Sequence, residues 1–361
     1  MDHSVNPQGG VDRQMKSFMP DVVANDRLRD RLCNDIYSGK LTHAYIIEGA
    51  VGSGRHTLAL NIAKAVACEN RSSESLPLPC GVCSACRKIS EGICPDVITV
   101  GKEEDKATIG VESARFIRGD VVALPNDLDV KFYIIEDADR LTAQAQNALL
   151  LTLEDPPSFA VFLLLCERAE LLLETVRSRA PTIRTEPVPR DAMSSHLLSS
   201  APAAVTSAAR QLKQFSPQEF EEILTASAGC IGRAYELLDP HRRGAALESR
   251  GKVRDFVDRL IDSSSHSALI DAVSAFPQKR DELIEYLEIV TLALRDLIVS
   301  KKSDDAELCF YSNREYVLEL SQKRSAAKLL QFVESCDRAI DALNKNANVK
   351  LTVTTLVASL G

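Results

Sequence analysis

The sequence predicts an α/β domain built on a buried parallel sheet, followed by an all-helical C-terminal half. Three observations point to it. Short apolar runs alternate with amphipathic stretches up to about residue 188. Beyond that point the strand signal stops, and apolar residues recur at helical spacing. A glycine-rich turn, Gly49-Ala50-Val51-Gly52-Ser53-Gly54, separates an apolar run from a helical one.

The candidate strands are His43–Ile47, Val97–Val100, Val130–Ile135, Val161–Leu165 and Pro181–Val188. Near-continuous apolar runs such as FYII and VFLLL suit strands buried on both faces, as in a sheet whose crossovers are helices. Residues 189–240 read as short helices with Ser- and Ala-rich joints. From about residue 245 onward the pattern is fully helical. Val253, Phe256, Val257, Leu260 and Ile261 form one stripe; Leu283, Ile284, Leu287, Val290, Leu294, Leu297 and Ile298 form another. A third joins Leu329, Val333, Cys336, Ile340 and Leu343. Each stripe buries one helix face in a bundle core. Residues 1–17 read as a flexible extension without the apolar segment of a secretory signal. The expected domains are 18–188 with an inserted module at 68–94, then 189–242, then 243–361.

With 361 residues, 45% hydrophobic and 26% charged, the chain is of ordinary globular composition and long enough for two or three domains. This excludes a mainly disordered, collagen-like or membrane-spanning chain. The net charge of −8 argues against an autonomous DNA binder, though not against a minor contact inside an assembly. Ten cysteines without an export signal point to a reducing compartment, the cytoplasm, where clustered thiols bind metal more often than they pair.

A glycine turn between strand and helix is a phosphate-cradling context, because backbone N–H groups and the helix N-terminus face one point. Gly49 and Gly54 have the separation of G-x-x-x-x-G-K-[ST], with Gly52 between them. The next positions do not follow that motif. Arg55 puts a planar fork where a compact ammonium is needed, and His56 puts an imidazole where a hydroxyl should ligate Mg²⁺. Thr57 comes one position late, rotated by about 100° around the helix. Three readings stay open: a relic loop, weak nucleotide binding without useful hydrolysis, and an ATPase with unusual residues. The run FYIIEDADRL would form the second half of such a site. An intact version ends in an Asp that holds Mg²⁺ and a Glu that polarises water. Here Glu136 and Asp137 exchange those carboxylates, or simply cap the next turn.

Cys80-x2-Cys83-x2-Cys86, with Cys68 upstream, can close a tetrahedral structural zinc site. The alternative is free thiols in a loop. Cys94 is a spare thiol outside this set. Four thiolates leave no open coordination position, so the metal would be structural rather than catalytic. The remaining cysteines, 33, 166, 230, 309 and 336, read as core.

These residues identify a family. The run FMPDVVANDRLRDRLCNDIYSGKLTHAYIIEGAVGSGRHT from Phe18 resembles the start of clamp-loader ATPase subunits of the AAA+ class. So do CPDVITV, IIEDADRLTAQAQNALLLTLEDPP, FLLL and TVRSR; GCIGRAYELL and NKNANVKLTVTTLVASL resemble its lid and last collar helix. The resemblance implies an AAA+ α/β domain with a zinc insertion, a helical lid and an oligomerising helical collar. It implies partners as well: delta and tau/gamma clamp-loader subunits, the sliding clamp and primed DNA. It makes Arg179 an arginine finger for a neighbour's ATP site, with Arg177 a close competitor, and Arg233 a sensor-like arginine. The family's S-R-C triplet is Ser178-Arg179-Ala180 here, and its γ-phosphate sensor is replaced around Cys166 and Glu167. ATP would therefore be weak or absent in this chain's own site. The alternative is a tau/gamma-type subunit that hydrolyses ATP itself.

Overall fold

The structure, a computed structural model, describes residues 18–73, 75–102, 108–262, 276–303, 306 and 308–360; the extension expected at 1–17 lies outside them. The described chain divides into two units, Met1–Ala192 with Cys230–Gly232, and Met193–Gly229 with Arg233–Gly361.

In the first unit the order is α1 (Asp26–Tyr37), β1 (Ala44–Glu48), α2 (Arg55–Ala67), α3 (Ser84–Ser90), β2 (Val97–Val100), α4 (Val111–Asp120) and β3 (Lys131–Ile135). Then come α5 (Ala143–Glu154), β4 (Ala160–Cys166), the single turn α6 (Glu174–Arg177) and β5 (Thr182–Arg184). The sheet is parallel throughout, in the order β2-β3-β4-β1-β5. Alternate residues of each strand serve two cores. Tyr45, Ile47, Phe132, Ile134, Leu163 and Leu165 join Leu32, Ile36, Leu58 and Ile62 of α1 and α2. Ala44, Ile46, Tyr133, Ile135, Phe162 and Leu164 join Ile117, Leu149 and Leu153 of α4 and α5. Both faces are apolar, which is why β3 and β4 read as unbroken hydrophobic runs.

β3 starts at Lys131, one residue later than expected, and β5 ends at Arg184 rather than at 188. The prolines at 187 and 189 have no N–H to give a ladder. The amide of Glu186 bonds instead to Asn25 Oδ1 at 2.6 Å, outside the sheet. Before β2, fully buried Asp96 accepts N–H bonds from Asn126, Asp127 and Leu128 at 2.7, 2.6 and 2.8 Å. Burial pushes its carboxyl up, but these donors outweigh that and hold it below the usual carboxylate range.

The second unit holds most of α7 (Arg190–Ser199), then α8 (Ala203–Phe215), α9 (Pro217–Ala226) and most of α10 (Ile231–Leu238). The long α11 (Pro240–Asp262), α12 (Arg280–Ser300), α13 (Arg314–Gln322), α14 (Ala326–Asn344) and α15 (Val349–Leu360) follow. Their apolar stripes share one core: Val253, Phe256 and Leu260 meet Leu283, Leu287 and Leu294, with Leu329, Cys336 and Leu343.

The helical pattern is not continuous after residue 245: the described residues between Ser300 and Arg314 are not helical. Asp296 fixes part of this break. Fully buried on α12, it accepts N–H bonds from Cys309 at 3.0 Å, Phe310 at 2.7 Å and Tyr311 at 3.1 Å. Arg250 donates to the Phe310 carbonyl at 2.7 Å and lies over its ring at 4.5 Å. Cys309, expected in the core, is only half-buried, since Phe310 and Tyr311 take the interior. Replacing Asp296 with Ala orphans three amides, so a loss of about 3 kcal/mol is expected in urea unfolding. Wild-type stability in that variant would show that the nest contributes nothing. Among the described residues, no helix is long and apolar enough to cross a membrane.

Candidate functional site

The inserted module places Cys68, Cys80, Cys83 and Cys86 together, all buried, with their sulfurs within 4.8 Å of one another. Cys68 ends α2, Cys83 caps α3 by accepting the Cys86 N–H at 3.4 Å, and Cys80 accepts N–H bonds from Cys83 and Asn70, each at 3.4 Å. Amides aimed at sulfur stabilise thiolate. Burial pushes Cys80 up, but the Val82 amide together with these donors and Cys68 brings it down to about 6; Cys86 is raised, chiefly by burial. Thiolates at about 2.3 Å from a tetrahedral ion lie roughly 3.8 Å apart, and Cys80 and Cys86 are separated by 4.0 Å. The cluster therefore fits a metal ion bound by four sulfurs. Cys94 is buried in the same core but stands outside the set.

Strand β1 delivers the glycine loop to the carboxyl edge of the sheet, where open α/β folds bind ligands. Gly49 is required by space: a Cβ there would come within 1.9 Å of Thr185 Oγ1. Gly52 and Gly54 have φ of 76° and 90°, a region costly for other residues. The Gly52 carbonyl accepts the Gly232 N–H at 2.9 Å. Arg55, His56 and Thr57 open α2.

His56 Nδ1 lies 2.8 Å from Glu136 Oε1. The hydrogen bond to His56 holds the Glu136 carboxyl below its usual range; burial opposes it, and the charges of His56 and Arg55 add to the lowering. Arg55 Nη1 is buried without a hydrogen-bond partner. Glu167 is pushed up mainly by burial, with Arg55 pulling it down and Asp139 and Asp137 pushing it up. Asp137, at φ 47°, precedes a short 3₁₀ turn but makes no side-chain capping bond. Asp139 does the local work instead, accepting the Glu167 N–H at 3.1 Å.

Arg179 follows α6, where its Nη1 donates to the Thr175 carbonyl at 2.7 Å and its Nη2 pairs with Glu154 at the end of α5. Arg177 is exposed on α6. Arg233 is half-buried on α10, in the second unit. The partners Glu154 and Asp139 escape sequence reasoning, because a lone acid at a helix end or turn has no distinctive spacing.

The family model described as DNA polymerase III, delta subunit, matches residues 24–189. The chain is 26% identical over 340 residues to the DNA polymerase III subunit delta' of Bacillus subtilis (strain 168), covering 92% of this chain and 95% of that protein. It is 27% identical over 345 residues to DNA polymerase III subunit tau of the same organism, covering 90% of this chain but only 57% of tau. Among solved structures, a DNA polymerase III gamma subunit-related protein from Thermotoga maritima is similar at 17% identity, with a TM-score of 0.42, over 91% of this chain and 98% of that one.

Proposed function

We propose that the chain is a delta-prime-type, non-motor subunit of the DNA polymerase III clamp loader in the cytoplasm; the family-model match over residues 24–189 and the likeness to delta' over 92% of the chain support this reading. Residues 18–188 act as its AAA+ domain, 189–242 as the lid and 243–361 as the collar that holds it in a ring with delta and tau/gamma subunits. The assembly spends ATP to open the sliding clamp and set it on primed DNA. This chain positions Arg179 at a neighbour's ATP and hydrolyses little or none itself. Cys68, Cys80, Cys83 and Cys86 hold a zinc ion that orders the inserted module. Arg233 matches the family's sensor arginine, and a structural role for it is equally compatible with an unproductive site.

The observation that carries the non-motor reading is the pair at the start of α2: Arg55 and His56 in place of the ammonium and hydroxyl that a magnesium triphosphate needs. Glu136, which would face the metal, is hydrogen-bonded to His56. Purified alone, the chain is expected to release no phosphate from Mg-ATP above buffer; mixed with tau/gamma and delta subunits, it is expected to co-elute with them on size exclusion. Turnover by the lone chain that disappears in Glu136→Gln would instead make it a motor subunit.

A further inference from the structure

Magnesium is a hard cation that demands octahedral oxygen ligands, and in nucleotide sites it is held by one or two carboxylates plus phosphate oxygens. At this loop neither protein ligand is available to it. The hydroxyl position is an imidazole, a poor donor for so hard an ion. The carboxylate of Glu136 already accepts a hydrogen bond from that same imidazole, at 2.8 Å. Each residue departs from the usual motif on its own, yet they are complementary to each other. Arg55, at the neighbouring position, adds positive charge that acts on both Glu136 and Glu167. The residues therefore do not fit a bound magnesium ion, although the glycine loop around them keeps its form.

We propose that the His56 side chain, held on Glu136, is the protein's own substitute for the divalent cation, so that this loop discriminates against magnesium-bound nucleotide. The inference rests on the reading of the loop as an unproductive nucleotide site and names the contact that makes it so. His56 and Glu136 are both close to half-exposed, at 47% and 42% of their side chains. The pair thus sits at a surface that a metal could reach, and burial alone does not exclude it. Substitution of His56 should leave the fold intact.

The test compares full-length chains by ATP affinity, measured calorimetrically in excess Mg²⁺ and in EDTA. Arg55→Lys restores the ammonium and keeps the imidazole; Arg55→Lys/His56→Thr also removes the imidazole and supplies a hydroxyl. The single variant is expected to bind ATP equally with and without Mg²⁺. The double variant is expected to bind at least about tenfold more tightly with Mg²⁺ than without it. Adding Glu136→Gln should abolish that difference. Arg55→Lys/His56→Ser serves if the threonine variant melts early. A magnesium response already present in Arg55→Lys would overturn the proposal, and so would a folded double variant with none. Mg²⁺-dependent hydrolysis by the wild-type chain would overturn the non-motor reading as well, whereas an inert wild type with an unresponsive double variant removes the substitution idea alone.

Discussion

On the proposed assignment of Arg179 as an arginine finger, Arg179→Ala in a reconstituted clamp loader is expected to leave assembly intact and to slow hydrolysis at the neighbouring subunit's ATP site by about 10³-fold or more. Negative charge accumulates on the transferred phosphoryl oxygens, and a guanidinium in a dry interface stabilises it. The contacts in the isolated chain are compatible with this role. Arg179 is anchored through the Thr175 carbonyl and Glu154, both in its own unit, with the side chain 32% exposed. Loss of such a partly exposed pair costs no more than about 1 kcal/mol, so a kinetic defect would not reflect unfolding. Arg179→Lys retains charge without the planar fork and should recover little of the rate. Arg177→Ala, on the exposed turn of α6, should behave as wild type. Single-turnover hydrolysis in assemblies carrying each variant measures all three. A rate unchanged by Arg179→Ala would end its assignment as the finger.

Cys86→Ser is expected to abolish metal binding and to destabilise the first unit by about 4 kcal/mol or more, a melting shift of roughly 10 °C. Cys86 is the most enclosed of the four thiols, with no exposed surface. The serine leaves three thiols and puts a buried hydroxyl into a core shared with Ile62 and Ile89. A strong chelator should reproduce the loss in the wild type, while Cys94→Ser should retain the ion. Elemental analysis is expected to find one zinc per chain. Metal-free wild-type protein of undiminished stability would sink the zinc site.

The sheet was legible because burial on both faces leaves little room for polar residues in β3 and β4. The last strand was overextended because apolar content alone does not show where proline removes a ladder donor. The four cysteines were readable from spacing, which the chain must keep if sulfurs are to converge. The contact between His56 and Glu136 was not, since the parallel sheet joins residues far apart in sequence and neither side chain is the usual one. Asp296 was hidden for a different reason: a single acid on an apolar stripe reads as a solvated position, and its three amide donors come from a segment that read as helix.

The strand order also has a consequence for how the chain is made. Among the described residues β1 pairs only with β4 and β5, so the strand that carries the glycine loop waits for neighbours that leave the ribosome much later. The four cysteines that could hold a metal ion lie together in sequence, between residues 68 and 86. All four sulfurs of the cluster are thus synthesised while β1 still lacks both flanking partners, and the loop's strand pairing is the later, longer-range step.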